Sequence, residues 1–157
     1  MKTNLIKDMK RDNIIDSKID ELTSLKNSLE ATLAVLPKFK TNLTVKTRTD
    51  VFNFRTCSTI NDVFRGYMML SAEWTAIDNF NAILASAKIA ESADPSFHGF
   101  TREEWEEDNK NLCVKIVANA RLAKVTAALK DLEKFYSGDR KEENAFNALL
   151  DSIGNII

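Results

Sequence analysis

Two cysteines, two prolines, four glycines and one histidine are all that 157 residues offer of the types that carry special chemistry or special backbone geometry. Each shortage excludes something. Cys57 and Cys113 form no CxxC pair and are too few for a disulfide framework, which fits a reducing compartment where each packs as a small apolar group. So little glycine and proline leaves scant room for long irregular loops. His98 would have to serve any Ser-His-Asp or Cys-His arrangement, and its spacing from Cys57 and Cys113 gives no reason for either to meet it. Beside Gly99 it reads as a surface loop residue. Neither HExxH, nor a calcium-type loop, nor a glycine-rich phosphate cradle occurs, and "SGDRK" lacks P-loop spacing, so no cofactor is implied. The N-terminal "MKTNLIKDMKRD" has six charges and no apolar run behind them. It reads as neither signal peptide nor membrane span, and an intracellular, cytoplasmic protein is expected.

What is present is ordinary core material: 44% hydrophobic and 29% charged residues, with nine Phe and two Trp. That composition and length predict one globular domain over 1–157. The net charge of −1 is unevenly spread. Residues 1–48 carry ten Lys or Arg against six Asp or Glu, and the remainder twelve against seventeen. The acidic excess beyond residue 48 invites the basic part to dock on it, within one chain or between two copies. A basic surface for nucleic acid is the sharper alternative, although a domain of that kind is usually basic overall.

Hydrophobic periodicity organises the chain. Ile15, Ile19, Leu22, Leu29, Leu33 and Leu36 keep a four-three spacing after Asp12 or Asn13 as cap and before Pro37 as stop, predicting a helix over about 13–36. Lys26 falls on that seam and is expected to reach solvent at a groove edge. From Phe39 the period becomes two, and "VFNFRT" alternates again after the turn residues "RTD". A hairpin over about 39–56, inserted after the first helix, follows. Ser58 or Thr59 caps a second helix to about 91, with Ile60, Val63, Phe64, Tyr67, Leu70, Trp74, Ile77 and Leu84 as its stripe. Thr101 and Glu104 form a capping box for a third over about 102–137, stopped by Gly138. Asp139 and Glu142 open a fourth over about 140–153. The fold class is mainly α, a four-helix bundle-like single domain with one β-hairpin.

The long helices show a second apolar face. On the third, Trp105, Leu112, Ile116, Ala120, Ala123 and Ala127 line one side and Val114, Ala118, Val125, Leu129, Leu132 and Tyr136 nearly the opposite one. The second helix adds Met69, Ala72, Ala76, Phe80 and Ile83. The first of these rows is a candidate self-association face, and a homo-oligomer is expected from it.

Two charged stretches bear on chemistry. Glu103, Glu104 and Glu107 imitate the first half of the magnesium motif of all-α nucleotide pyrophosphohydrolases. The second half is missing, since Asp131 and Glu133 lie on the same helix at the wrong spacing; acids there complement the helix dipole instead. "KFKTNLTVKTRTDVFNFR" offers Lys38, Lys40, Lys46, Arg48 and Arg55 beside Phe39, Phe52 and Phe54, the ingredients of a single-strand binder. Strand parity argues otherwise. An even-length turn puts Val45 opposite Phe52 and Leu43 opposite Phe54, sending both rings to the core and the cations to water. The function expected is therefore non-enzymatic: an adaptor, assembly factor or inhibitor binding a protein partner, of the kind viruses and mobile elements also encode. Nucleic-acid binding by the hairpin ranks second and a carboxylate-metal hydrolase third.

Overall fold

The structure, a computed structural model, describes residues 2–89, 97–136 and 143–157, with side chains from Lys10 onward. It is mainly α, with four helices and one two-stranded antiparallel hairpin. The elements are α1 (Lys2–Ala34), β1 (Thr44–Lys46), β2 (Val51–Asn53), a 3₁₀ turn (Phe54–Thr56), α2 (Ile60–Ser86), α3 (Arg102–Glu133) and α4 (Glu143–Ile156). The ends expected at 90–91 and Gly138, and the Asp139/Glu142 cap, lie outside the described residues.

Several boundaries differ from expectation for local reasons. α1 begins at Lys2 rather than at an Asp12 or Asn13 cap, because residues 2–12 contain neither Gly nor Pro to interrupt it. It ends at Ala34, short of the Pro37 that forbids its continuation. At the start of α2, Asp62 N–H donates to Thr59 Oγ1 at 3.2 Å and Thr59 N–H to Asp62 Oδ2 at 3.2 Å, a reciprocal capping box. α2 stops earlier than expected because Lys88 turns left-handed at φ 58°. The Ile89 N–H then bonds back to the Leu84 carbonyl at 2.8 Å, which closes a Schellman motif. The Thr101/Glu104 box opens α3 as its sequence predicts.

The chain groups into two compact units, residues 1–35 with 118–157 and residues 36–117. α3 contributes its second half to the former and its first half to the latter. In the helical unit (1–35 with 118–157) the interior follows heptads. Ile15, Leu22 and Leu29 of α1 are buried seven residues apart, as are Ala118, Val125 and Leu132 of α3, and Phe146 and Ile153 of α4. Ile19, Leu33, Leu122 and Leu129 pack around them as the intervening positions. Lys26, on the same seam, is half-buried. Phe135 meets Phe146 with ring centroids 5.3 Å apart, while Arg121 Nε and Nη2 donate to the Ile156 carbonyl at 3.1 and 2.9 Å. α4 therefore runs antiparallel to α3. Arg11 lies over the Phe146 ring at 5.0 Å and Tyr136 Oη donates to Asp16 at 2.7 Å, so α1 starts at that same end and also opposes α3.

The hairpin unit (36–117) is built from aromatics. Leu43, Val45, Phe54, Val63, Leu70, Trp74, Phe97, Trp105 and Leu112 form its buried cluster. Strand pairing is Thr44 with Asn53, Val45 with Phe52 and Lys46 with Val51, closed by the four-residue loop 47–50. The Phe54 N–H continues to the Leu43 carbonyl at 2.8 Å. Phe54 is fully buried and Phe52 half-buried, so the even turn and inward aromatics expected from parity hold. Phe52 and Phe54 meet edge to face on Gly66 of α2, where a methyl group would overlap both rings. A second tight turn pairs Phe97 with Phe100, with His98 and Gly99 both at positive φ, and Trp105 Nε1 donates to the Phe97 carbonyl at 3.2 Å.

Candidate interaction surfaces

The extended run expected from Phe39 does not join the strand, and Asp108 of α3 is the reason. Asp108 is 1% exposed, and its carboxylate receives the backbone N–H of Lys40 at 2.8 Å, the backbone N–H of Thr41 at 2.7 Å and the Thr41 hydroxyl. A carboxylate is an acceptor only, and three donors satisfy it without a cation. Thr41 Oγ1 in turn accepts the Leu43 N–H at 3.2 Å, and Leu43 takes a left-handed φ of 56°. A branched side chain adopts that conformation at a cost, met here by the bonds on either side and by burial of the leucine. The alternating pattern from Phe39 is therefore cut into an anchored segment and a three-residue strand. Sequence reasoning treated the acids at this helix start as complements of its dipole and did not single out Asp108; the alternation of Thr41 with charged neighbours was the available signal of its partner.

The remaining acids at the head of α3 go to separate partners. Glu104 accepts the Thr101 N–H at 3.0 Å, Glu106 accepts the Tyr67 hydroxyl at 3.2 Å, and Glu107 pairs with Lys40 Nζ at 3.0 Å. The hydrogen bond to Glu107 and its negative charge raise the Lys40 ammonium above its ordinary value. Burial, followed by the Glu106 carboxylate, raises the Tyr67 phenol. Glu103 is exposed. Among the described residues no group of three His, Cys, Asp or Glu side chains converges as metal ligands. Burial pushes both the Cys57 and Cys113 thiols up, which favours the protonated, unreactive form. His98 is exposed on its turn, its ring 4.1 Å from that of Phe97.

The hairpin cations divide as well. Lys38, Lys46, Arg48 and Arg55 are exposed, Lys40 is engaged with Glu107, and Lys115 Nζ sits 5.8 Å from the centre of the half-buried Phe39 ring. Phe54, the ring a stacked base would need, is interior.

The apolar rows of the long helices are used differently from the expectation. Trp105 and Leu112 are buried in the hairpin unit's own core and Ile116 packs against it. Only Ala120, Ala123 and Ala127 of the anticipated self-association face are exposed. Ala118, Val125 and Leu132 of the other row are buried in the helical unit's own core. Beside Ala127, a cleft of about 310 Å³ between α3 and α4 is lined by Lys124, Asp131, Ser152 and Asn155 with apolar neighbours.

On α2, Val63, Leu70 and Trp74 face inward as expected, but Ile60 and Phe64 of the same predicted stripe do not. They belong to a row at four-residue steps, Ile60, Phe64, Met68, Ala72, Ala76 and Phe80, that is exposed throughout, with Ile83 beside its end. Phe64 is 60% and Met68 54% exposed. Met68 was not singled out from the sequence; the four-residue step from Phe64 was the available signal. No described helix is long and apolar enough to cross a membrane. Comparisons with protein-family models, with curated proteins and with solved structures found no match to this chain.

Proposed function

We propose that the protein acts without catalysis, as an intracellular adaptor, assembly factor or inhibitor that binds other protein chains, itself included, through its helical surface. The observation that carries this reading is the uncovered apolar row of α2, in which five large hydrophobic side chains from Ile60 to Ile83 are 44–64% exposed. Single exposed hydrophobics are common on any protein, but a contiguous row of them is costly in water and marks a surface that another chain covers. The groups that could otherwise supply chemistry have structural duties: Asp108 anchors Lys40 and Thr41, Glu104 caps α3, and both thiols are raised by burial.

The test is affinity capture with the full chain and with a Phe64→Ser, Met68→Ser variant, both at exposed positions. A protein retained by the first and lost with the second is the expected result; equal capture by both would refute the assignment to α2. A second reading, nucleic-acid binding by the hairpin, is favoured by the exposure of Lys38, Lys46, Arg48 and Arg55. It requires binding to a short single strand whose affinity falls with salt by about one log-log unit for each phosphate contact. The Glu107 partner of Lys40 and the burial of Phe54 weigh against it.

A further inference from the structure

We infer that Cys57 and Cys113 are a redox-responsive pair, which closes into a reversible disulfide within one chain and so ties the junction between the hairpin and α2 to the first half of α3.

Both residues lie in the hairpin unit (36–117), both are free thiols, and both are half-buried against the same aromatic cluster. The packing of α2 on α3 sets them at one level. Arg102 Nη2 donates to the Trp74 carbonyl at 3.2 Å and to Asp78 at 2.6 Å, and Tyr67 Oη donates to Glu106 at 3.2 Å, so the two helices run antiparallel. On α3, Arg102, Glu106, Asn109 and Cys113 follow one another at steps of four, three and four, which is one face of a helix. The contacts of Arg102 and Glu106 show that this face is turned to α2. Two turns beyond Glu106 bring α3 to Cys113. Two turns back from Tyr67 bring α2 to its first residue, Ile60, and Cys57 stands just before it as the cap of the 3₁₀ turn. That turn packs toward α3 through Phe54, whose ring centroid is 6.1 Å from that of Trp105.

Two further observations agree with this placement. Burial raises the Cys57 thiol most, Asp62 adds to that and Arg65 opposes it, and a charge on Cys113 raises it as well, so the two sulfurs lie within reach of each other's charge. The backbone at Cys57 is extended, with φ −68° and ψ 131°. An extended segment approaches a helix more closely than the roughly 8–10 Å that separates two helix axes. That suits the roughly 4.4–6.8 Å between Cα atoms that a disulfide spans.

The fold holds both residues as thiols, so the bond is an addition to it and not a part of its framework. Inside cells a disulfide of that kind is transient and redox-sensing. The step is exchange with a low-molecular-weight disulfide. The thiolate of one cysteine attacks that disulfide and expels one small thiol; the second cysteine, as thiolate, attacks the mixed disulfide at the protein sulfur and expels the other. Two electrons and two protons pass from the pair to the oxidant, which leaves as two thiols. Burial keeps both groups protonated at rest, so the first attack is slow and the pair answers sustained oxidation.

The experiment incubates the full chain, freed of reductant, with oxidised glutathione. Free thiols counted after denaturation should fall from two to none per chain. Mass spectrometry should find the loss of two hydrogens with no glutathione added, and a digest should join the peptides that carry Cys57 and Cys113. On a non-reducing gel the product should run as one chain. The closed loop restricts the unfolded state, so the melting temperature should rise by about 5 °C or more and return to the parent value with reductant. Cys57→Ser and Cys113→Ser should each keep one bound glutathione and show no such rise. A parent that carries two glutathiones, joins only to a second chain, or retains both thiols after long exposure would overturn the pairing. A bond that closes yet leaves the melting temperature unchanged or lower would overturn the tie to α3.

Discussion

The helical unit holds itself together with aliphatic residues at a fixed repeat, and the hairpin unit with aromatics at no repeat. In the first, Ile15, Leu22 and Leu29 on one helix and Ala118, Val125 and Leu132 on another supply equivalent layers, so the loss of any one is felt by its own layer. In the second, Phe54, Trp105, Phe97 and Trp74 come from four different segments of chain. Their arrangement depends on two residues that bury little themselves, Gly66, which lets Phe52 and Phe54 approach the helix backbone, and Asp108, which fixes the segment before β1. A periodic core is redundant. An aromatic core around a buried carboxylate has single points on which the whole packing turns.

The comparison breaks most sharply at those points. Phe54→Ala should destabilise the hairpin unit by about 3–5 kcal/mol, the usual loss for truncating a buried Phe. Leu22→Ala should cost the helical unit about 2–5 kcal/mol. Hydrogen exchange should separate the two. Phe54→Ala should expose amides of Thr44–Asn53 and Ile60–Ser86, and Leu22→Ala those of the second half of α1. The same pattern of exchange in both variants would refute the separation of cores.

Asp108→Ala should cost about 2–3 kcal/mol, because it strands the buried N–H and hydroxyl of Thr41 and removes the acceptor of the part-buried Lys40 N–H. Asp108→Asn should recover part of the loss through its one remaining acceptor oxygen. If chemical denaturation finds both variants as stable as the parent, the anchor is ornamental. Gly66→Ala should cost about 1–3 kcal/mol by overpacking against the two rings. Pairing it with Phe52→Leu, which removes part of the obstruction, should restore some of that loss; strictly additive costs would contradict the contact.

The smallest effect belongs to the helical unit and appears only in alkali. The hydrogen bond that Tyr136 donates to Asp16 leads the causes that push its phenol up to about 12, followed by burial and the Asp16 charge. The unfolded phenol ionises near its ordinary value of about 10. A raised folded value means that the stabilisation is whole below pH 10 and is lost as the pH rises from 10 through 12. Tyr136→Phe should flatten that part of a melting-temperature profile against pH, leaving the rest unchanged; an identical alkaline slope in the variant would show that another group is responsible.

Much of this fold is written in short stretches of chain. The four-three spacing from Ile15 to Leu33, the capping boxes at Thr59 and Thr101, and the hairpin parity each depend on residues within a few positions of one another, so local geometry alone determines them. With an even loop between Lys46 and Val51, strand alternation alone puts Phe52 and Phe54 on the Val45 side. What tertiary structure decided is which apolar face meets which neighbour. α3 has two apolar faces, and only the division of the chain determines that Trp105 and Leu112 go into one core while Ala118 and Val125 go into another. The same holds for Asp108, which is one acid among several in sequence and is singled out only by the two N–H groups of Lys40 and Thr41, more than sixty positions away. It holds too for Ile60 and Phe64, whose place in an apolar stripe cannot say that the hairpin packs at Gly66 and leaves them to water. Periodicity is a property of one element, whereas burial belongs to a pair of elements, and the second partner is not encoded beside the first.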